Sequence, residues 1–263
     1  AIRRWILEND WLEAIVGLPE NLFYNTGIHT YIWVLSNDKP EERANKVQLI
    51  DAQDLYSEMD ESLGEKRHEL TQQHIDEISR IFGDIKANGR SKIVPTEEFG
   101  YRRIVIDRPL RMSFQATDER IESLDDERAF TNRDKETQEV VQEALQSLDS
   151  EKQWMDREEF MDEVELALNV HGVDVRNSVY NAIERALGER NPHAEIVRNS
   201  KGDPEHDTEL RNRERISLNE DPYDYFEREV EPYGENAWIN DSKKYYDERY
   251  NQLGVVGYEI NFD

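Results

Sequence analysis

The 263-residue sequence contains no cysteine. Disulfide bonds and thiolate metal sites are therefore excluded, and a cytoplasmic location is expected. No run of about 18 apolar residues is present, the length that a membrane-spanning helix needs. Glu8 and Asp10 interrupt the apolar residues near the start, so we expect no secretory signal. The histidines lack metal-site spacing and no serine lies in a Gly-x-Ser-x-Gly turn, so neither a metal centre nor a hydrolase is expected.

Glycine is also scarce, with 12 residues and no Gly-x-Gly pattern. The nearest approach is Gly254-Val255-Val256-Gly257. The sequence therefore lacks a glycine-rich loop of the kind at which backbone approaches a nucleotide-like cofactor.

Positive charge is outnumbered, with 33 lysines and arginines against 59 acidic residues. Residues 1–110 have a net charge of −6, and the remainder has a net charge of −20. DNA binding depends on the neutralisation of phosphates by cations, so the second part is a poor DNA platform by itself. Its acidity indicates either a solvated surface or a face for a basic protein partner.

Residues 1–110 alternate between helical and strand patterns, which favours an α/β fold. Strand 46–51 follows strand 30–35 after a short link, so we expect the two to be antiparallel. Thr71 is the expected N-cap of a helix that places Ile75, Ile78, Phe82 and Ile85 on one face. The predicted elements are a helix over 2–12, strands over 14–18, 30–35 and 46–51, the helix after Thr71, and a strand over 103–106.

Residues 111–207 are polar, acidic and patterned as helices. Asp156 begins an expected capping box, and Gly188 is an expected C-cap. Two of the predicted helices, joined by residues 169–174, invite comparison with a helix-turn-helix, but the second offers only Arg176 and Arg185 as cations. A small helical packing unit is the alternative. Residues 208–263 then form a segment rich in aromatic residues.

Three separated parts of the chain resemble, in order, the DNA-modifying (modification) subunit of type I restriction–modification systems. The first carries the sequence LPENLFYNTGIHTYIWVL over residues 18–35, followed by KVQLIDA over 46–52. The other two parts are HIDEI over 74–78 with Phe82, Tyr101 and residues 108–110, and residues 224–232 with 236–239 and 256–262.

The resemblance implies an S-adenosylmethionine-dependent enzyme that methylates adenine N6 in DNA and works with specificity and restriction subunits. Residues 1–110 would be the C-terminal portion of a Rossmann-like methyltransferase sheet, 111–207 an acidic helical insertion or linker, and 208–263 the aromatic-rich C-terminal segment. The family's cofactor loop and Asn/Asp-Pro-Pro-Tyr/Phe motif precede the first matching part. The chain would therefore be a C-terminal fragment that is inactive alone, without catalytic or cofactor-binding residues of its own.

The same resemblance places target-base contacts in the turn at 18–35. Phe23 lies where related enzymes have an aromatic residue that packs against the flipped adenine, with Tyr24 beside it. Asn25 and Thr26 are candidate contacts to DNA, as is His29. The alternatives are a core position for Phe23 and ordinary turn roles for the polar residues, and Gly27 is expected to supply a positive φ.

Glu220-Asp221-Pro222-Tyr223 imitates the family's catalytic motif but has one proline, so we expect a helix or turn to begin there. A rival interpretation of the whole chain is an acidic helical interaction module without catalysis, or a DNA mimic that blocks basic partners. The acidic second part favours that interpretation, and the buried strand next to the aromatic turn disfavours it.

Overall fold

The computed structural model describes residues 2–262 and confirms the α/β class. The first part of the chain combines two helices with seven strands. These elements are α1 (Ile2–Glu8), β1 (Leu12–Leu18), β2 (Thr30–Leu35), β3 (Lys46–Asp51), β4 (Ser57–Leu63), β5 (Lys66–Glu69), α2 (Gln72–Asp84), β6 (Ser91–Pro95) and β7 (Gly100–Asp107).

The rest of the chain is mainly helical as far as Leu187, and mostly short strands follow. Its elements are β8 (Met112–Phe114), α3 (Asp118–Glu122), α4 (Arg128–Thr131), α5 (Lys135–Gln146), α6 (Arg157–Val170), α7 (Asn177–Leu187), β9 (Gly188–Arg190), β10 (Asn212–Ser217), α8 (Pro222–Glu229), β11 (Trp238–Ile239), β12 (Tyr246–Asp247), β13 (Gln252–Leu253) and β14 (Val255–Tyr258). None of the helices in the described residues is long and apolar enough to cross a membrane.

The chain divides into two compact units. Unit 1 contains the residues up to Val105, Arg213–Phe226 and the residues from Asp241, and unit 2 contains Ile106–Asn212 and Glu227–Asn240. The sequence divided the chain into three segments, at 1–110, 111–207 and 208–263, and this division remains a prediction. The compact units cut across them, because the last segment contributes to both units.

Unit 1 is built on a four-stranded sheet in the order β2-β1-β3-β6. β1 is antiparallel to β2 and parallel to β3, and β3 is antiparallel to β6. Both faces of β1 are covered, since Ile15 belongs to one apolar cluster with Leu7 and Val47, and Val16 belongs to another with Ile50. A strand that is apolar on both faces therefore occupies the middle of this sheet.

Three sequence expectations about unit 1 need correction. The helix predicted over 2–12 ends at Glu8, because Asp10 takes a φ of 54° and Leu12 already begins β1. β3 runs antiparallel to β2 as expected but does not pair with it; it lies on the other side of β1, where both of its faces are buried. α2 begins after the Thr71 N-cap as predicted, but it buries Ile81 and leaves Ile75 43% exposed.

The end of the chain packs back onto the start of unit 1. β14 pairs with the first residues of β7, from Gly100 to Arg103. Arg4 of α1 forms a two-point ion pair with Asp247, with Nη1–Oδ2 at 2.7 Å and Nη2–Oδ1 at 3.0 Å. The last part of the aromatic-rich segment, from Asp241 onward, therefore belongs to unit 1.

Unit 2 is held by one apolar cluster built from α3 to α7. Phe114 and Phe160 stack at a centroid distance of 4.7 Å, and Trp154 lies 5.4 Å from Phe160. The Asp156 side chain accepts a hydrogen bond from the amide of Glu159 at the start of α6, and Gly188 follows the end of α7. Asp156 is confirmed as the N-cap of α6 and Gly188 as the C-cap of α7, although Gly188 is extended and not left-handed.

Candidate functional site

The segment at residues 18–35 forms a turn between two paired strands. It leaves β1 at Leu18 and re-enters the sheet at Thr30, and these two residues are partners in the strand register. Phe23 is 49% exposed and Tyr24 is 59% exposed. Phe23 is thus a surface aromatic, and its alternative assignment to the core does not hold.

Backbone hydrogen bonds fix the start of the turn. Asn21 adopts a φ of 57°, in the left-handed region that asparagine tolerates better than most residues. Its carbonyl accepts the amides of Arg67 at 2.9 Å and His68 at 3.1 Å. Glu65 donates its amide to the Tyr24 carbonyl at 3.1 Å. The two aromatic side chains therefore project from backbone that is tied to the β4–β5 hairpin.

The other predicted contact residues lie on the same turn. Asn25 is exposed and Thr26 is half-buried, and Thr26 forms an isolated bridge with Phe23. His29 places Nδ1 3.2 Å from the Leu18 carbonyl and Nε2 3.1 Å from the Glu20 carboxylate. The four predicted residues from Phe23 to Thr26 therefore lie on one turn. His29 contacts the first residues of that turn, Leu18 and Glu20.

The expectation that Gly27 supplies a positive φ is wrong. The left-handed residue is Asn21, and a Cβ built on Gly27 would lie 3.2 Å from the Asn21 side-chain oxygen. At Gly27 a Cβ would require the Asn21 side chain to shift by a few tenths of an ångström, so Gly27 contributes close approach and not a special backbone conformation.

β2 is an edge strand whose side chains are exposed on both faces. Tyr31, Ile32, Trp33 and Leu35 are 38–51% exposed. Tyr31 has one aromatic neighbour, Phe262, in an edge-on contact at 5.1 Å. Within residues 2–262, β1 is the strand that pairs with β2.

The imitation of the catalytic motif is a helix start, as predicted. The Asp221 carboxylate accepts the amide of Tyr223 at 2.8 Å, and Pro222 is the first residue of α8. The segment lines an open cavity of about 480 Å³ together with Arg102 and Tyr246. Its carboxylate caps the helix, so the residues do not form a methyltransferase motif. No group of three or more His, Asp or Glu side chains among the described residues is placed to hold a metal ion.

The β4–β5 hairpin, which is hydrogen-bonded to the aromatic turn, is a feature that the sequence did not indicate. Nine of the eleven residues in its two strands are polar and seven are exposed, so the apolar alternation that identifies strands is missing. The available signal is Gly64-Glu65, a two-residue turn that joins the paired residues Leu63 and Lys66.

The first part of the chain is similar to known DNA methylases. Residues 1–119 match the model of the N-6 DNA Methylase family. Over 98 residues the chain is 36% identical to the type I restriction enzyme MjaVIII methylase subunit from Methanocaldococcus jannaschii. These 98 residues are 37% of this chain and 17% of that protein. The MjaIX methylase subunit of the same organism is 35% identical over 77 residues, covering 29% of this chain and 13% of its own length.

A solved structure is also similar. The crystal structure of the type I restriction–modification system methyltransferase subunit from Streptococcus thermophilus matches with 25% sequence identity and a TM-score of 0.32, covering 37% of this chain and 19% of that one.

The family model matches residues 1–119, which is less than half of the chain, and the similar curated proteins are methylase subunits of type I restriction enzymes. The matches span less than a fifth of the length of those relatives.

Proposed function

We propose that the chain is part of the modification subunit of a type I restriction–modification system, which transfers a methyl group from S-adenosylmethionine to adenine N6 in DNA. Its contribution is the wall that faces the target base. The cofactor loop and the catalytic motif belong to another part of the subunit, and the chain is inactive alone. DNA and the specificity and restriction subunits are its partners.

The exposed aromatic turn is the observation that carries this proposal. The exocyclic amine of adenine is out of reach inside a duplex, so the enzyme must flip the base into a pocket. A flipped base needs an aromatic surface to replace its lost stacking. Phe23 and Tyr24 offer such a surface, and the hydrogen bonds to Asn21 and Tyr24 hold it in place.

The exposed β2 strand supports the same proposal. A strand with large apolar side chains on both faces is typical of the interior of a sheet covered on both sides. β2 has this composition but lies at an edge. If further strands of a Rossmann-like methyltransferase sheet pair with the free side of β2, the strand lies inside the sheet, as its composition predicts.

The proposal predicts that the ring of Phe23 is needed for methylation by the intact subunit assembly. Base–aromatic stacking contributes about 1–3 kcal/mol, which corresponds to about a 5- to 150-fold change in kcat/KM. We expect Phe23→Ala and Phe23→Leu to lower kcat/KM for DNA within that range and Phe23→Tyr to retain most of it. Radiolabelled methyl transfer to a duplex with one target site measures the effect.

Two variants serve as controls for that experiment. Ile28→Ala shortens a 70% exposed apolar side chain on the same turn without removing a ring, and Tyr233→Ala removes an 83% exposed ring from unit 2. Both should stay within about twofold of wild type, since surface substitutions are usually close to neutral. Wild-type activity in Phe23→Leu would disprove the assignment of Phe23.

A further inference from the structure

The β4–β5 hairpin contacts the aromatic turn through its own turn residues. Glu65 donates its amide to the Tyr24 carbonyl at 3.1 Å. Gly64, immediately before it, has a φ of 65°, and a Cβ added there would lie 2.7 Å from the same carbonyl oxygen and 3.4 Å from Cδ1 of Tyr24. Any side chain at Gly64 therefore forces Tyr24 or the hairpin to move.

The second point of contact lies near the end of the hairpin. Arg67 and His68 both donate their amides to the Asn21 carbonyl, and the Nδ1 of His68 lies 2.7 Å from the Glu20 carbonyl. The His68 ring stacks on Tyr56 at a centroid distance of 3.8 Å. The hairpin thus holds the turn on both sides of Phe23, at Asn21 and at Tyr24.

These contacts contribute little to the apolar core. Most side chains of β4 and β5 are exposed, and the apolar clusters on the two faces of the sheet contain no residue from either strand. The hairpin buries little apolar area, so its effect on stability through burial is small. Its hydrogen bonds are directed at the carbonyls of the turn, which indicates a role in fixing that turn.

We propose that the β4–β5 hairpin positions the aromatic turn for the target base and that Gly64 is the positioning residue. The inference rests on the proposed function, because it assumes that the turn contacts a flipped base. Because Gly64 has no side chain, the Glu65 amide can reach the Tyr24 carbonyl, and this hydrogen bond fixes the position of Tyr24 beside Phe23. Gly64 does not touch the base itself; it acts by positioning Tyr24.

In the intact methyltransferase, Gly64→Ala should raise KM for DNA by about 3- to 30-fold and change kcat by less than about twofold. A contact that is made equally in the bound state and in the transition state changes KM and leaves kcat unaltered. This range lies below the about 5- to 150-fold expected for the loss of a stacked ring, because Gly64→Ala displaces the Tyr24 ring and does not remove it. 2-Aminopurine at the target position reports the stacking of the flipped base directly, and its fluorescence in the complex should rise in the variant.

Gly172→Ala is the matched control for backbone strain. Gly172 has a φ of 72°, and no atom lies within 4 Å of a Cβ built there. Both variants carry the cost of alanine in the left-handed region, but only Gly64→Ala meets Tyr24. Combining Gly64→Ala with Tyr24→Ala should raise KM no further than Tyr24→Ala alone, because the ring whose position is lost is already absent.

Hydrogen exchange of the chain by itself provides a readout that does not need methylation. Gly64→Ala should accelerate exchange of the Glu65 and Arg67 amides, and Gly172→Ala should leave them unchanged. If Phe23→Leu impairs methylation while Gly64→Ala behaves like Gly172→Ala, the positioning role is wrong and the proposed function stands. If Phe23→Leu has no effect, the proposed function of the turn fails, and the positioning of a base by Gly64 fails with it.

Discussion

At the scale of single residues, the Arg4–Asp247 ion pair is a main link between α1 and the end of the chain. The Asp247 carboxylate is 2% exposed and also accepts the amides of Arg249 at 3.1 Å and Val256 at 3.0 Å. Hydrogen bonding to Arg4 lowers the pKa of Asp247 from 3.8 to about 2. The carboxylate is therefore stabilised in its charged form by the folded state.

Asp247→Asn should destabilise unit 1 by about 2 kcal/mol near neutral pH, since one pKa unit corresponds to 1.36 kcal/mol. A lowered pKa stabilises the fold above the unfolded value of 3.8, and this stabilisation is lost as the pH falls towards 2. Urea unfolding at pH 6 and at pH 2.5 should therefore show a difference between wild type and Asp247→Asn that shrinks at the lower pH. Asp38 is exposed, and Asp38→Asn, as the control, should change stability little at either pH. A gap of the same size at pH 2.5 and at pH 6 would contradict the assignment.

Some residues of the turn at 18–35 could be predicted from the sequence and others could not. The sequence placed Phe23 and Tyr24 on the turn, where both are exposed, because a resemblance identified the segment. It assigned the positive φ to Gly27, whereas the structure gives it to Asn21. Asparagine and glycine both populate that conformation, and the choice between them depends on the hairpin that binds the Asn21 carbonyl, which local sequence does not reveal.

At the scale of elements, apolar pattern decided which strands could be predicted. β2 and β3 have the predicted bounds, Thr30–Leu35 and Lys46–Asp51, since each is a short apolar run between turn signals. β4 and β5 were missed because nine of their eleven residues are polar. The place of β3 beside β1 was also not predicted, as the short link after β2 suggested a simple hairpin while burial on both faces favours a central position.

The free side of β2 should make the chain self-associate when it is produced alone. An exposed, apolar edge strand is a template for pairing with another chain. Ile32→Lys introduces a charge at a 49% exposed position on the strand, and we expect it to reduce self-association in sedimentation velocity. Ile28→Lys changes a 70% exposed residue outside the strand and should not. A monomeric wild-type chain, or equal effects of both variants, would contradict this account of the edge.

At the scale of the whole molecule, the large negative charge is partly neutralised by ion pairs within each unit. In unit 2, Arg157 lies 3.1 Å from Glu205 and 3.4 Å from Glu184, and Lys152 lies 2.9 Å from Glu159 and 2.6 Å from Glu163. A DNA mimic must present unpaired carboxylates in place of phosphates. These four glutamates are bound by the unit's own cations and are not free to take the place of phosphates.

We therefore expect no competition between this chain and DNA for a basic helix-turn-helix repressor. Fluorescence anisotropy of a labelled operator should stay constant as the chain is added to about 100 µM at about 0.15 M salt, a concentration at which weak electrostatic binding is already visible. Heparin is the positive control, because a flexible polyanion releases the operator. Displacement by the chain that weakens steeply with salt would instead identify unit 2 as a phosphate-like surface. Constant anisotropy, together with loss of methylation in Phe23→Leu, assigns the function to the turn between β1 and β2 and leaves the acidity of the second part as surface charge.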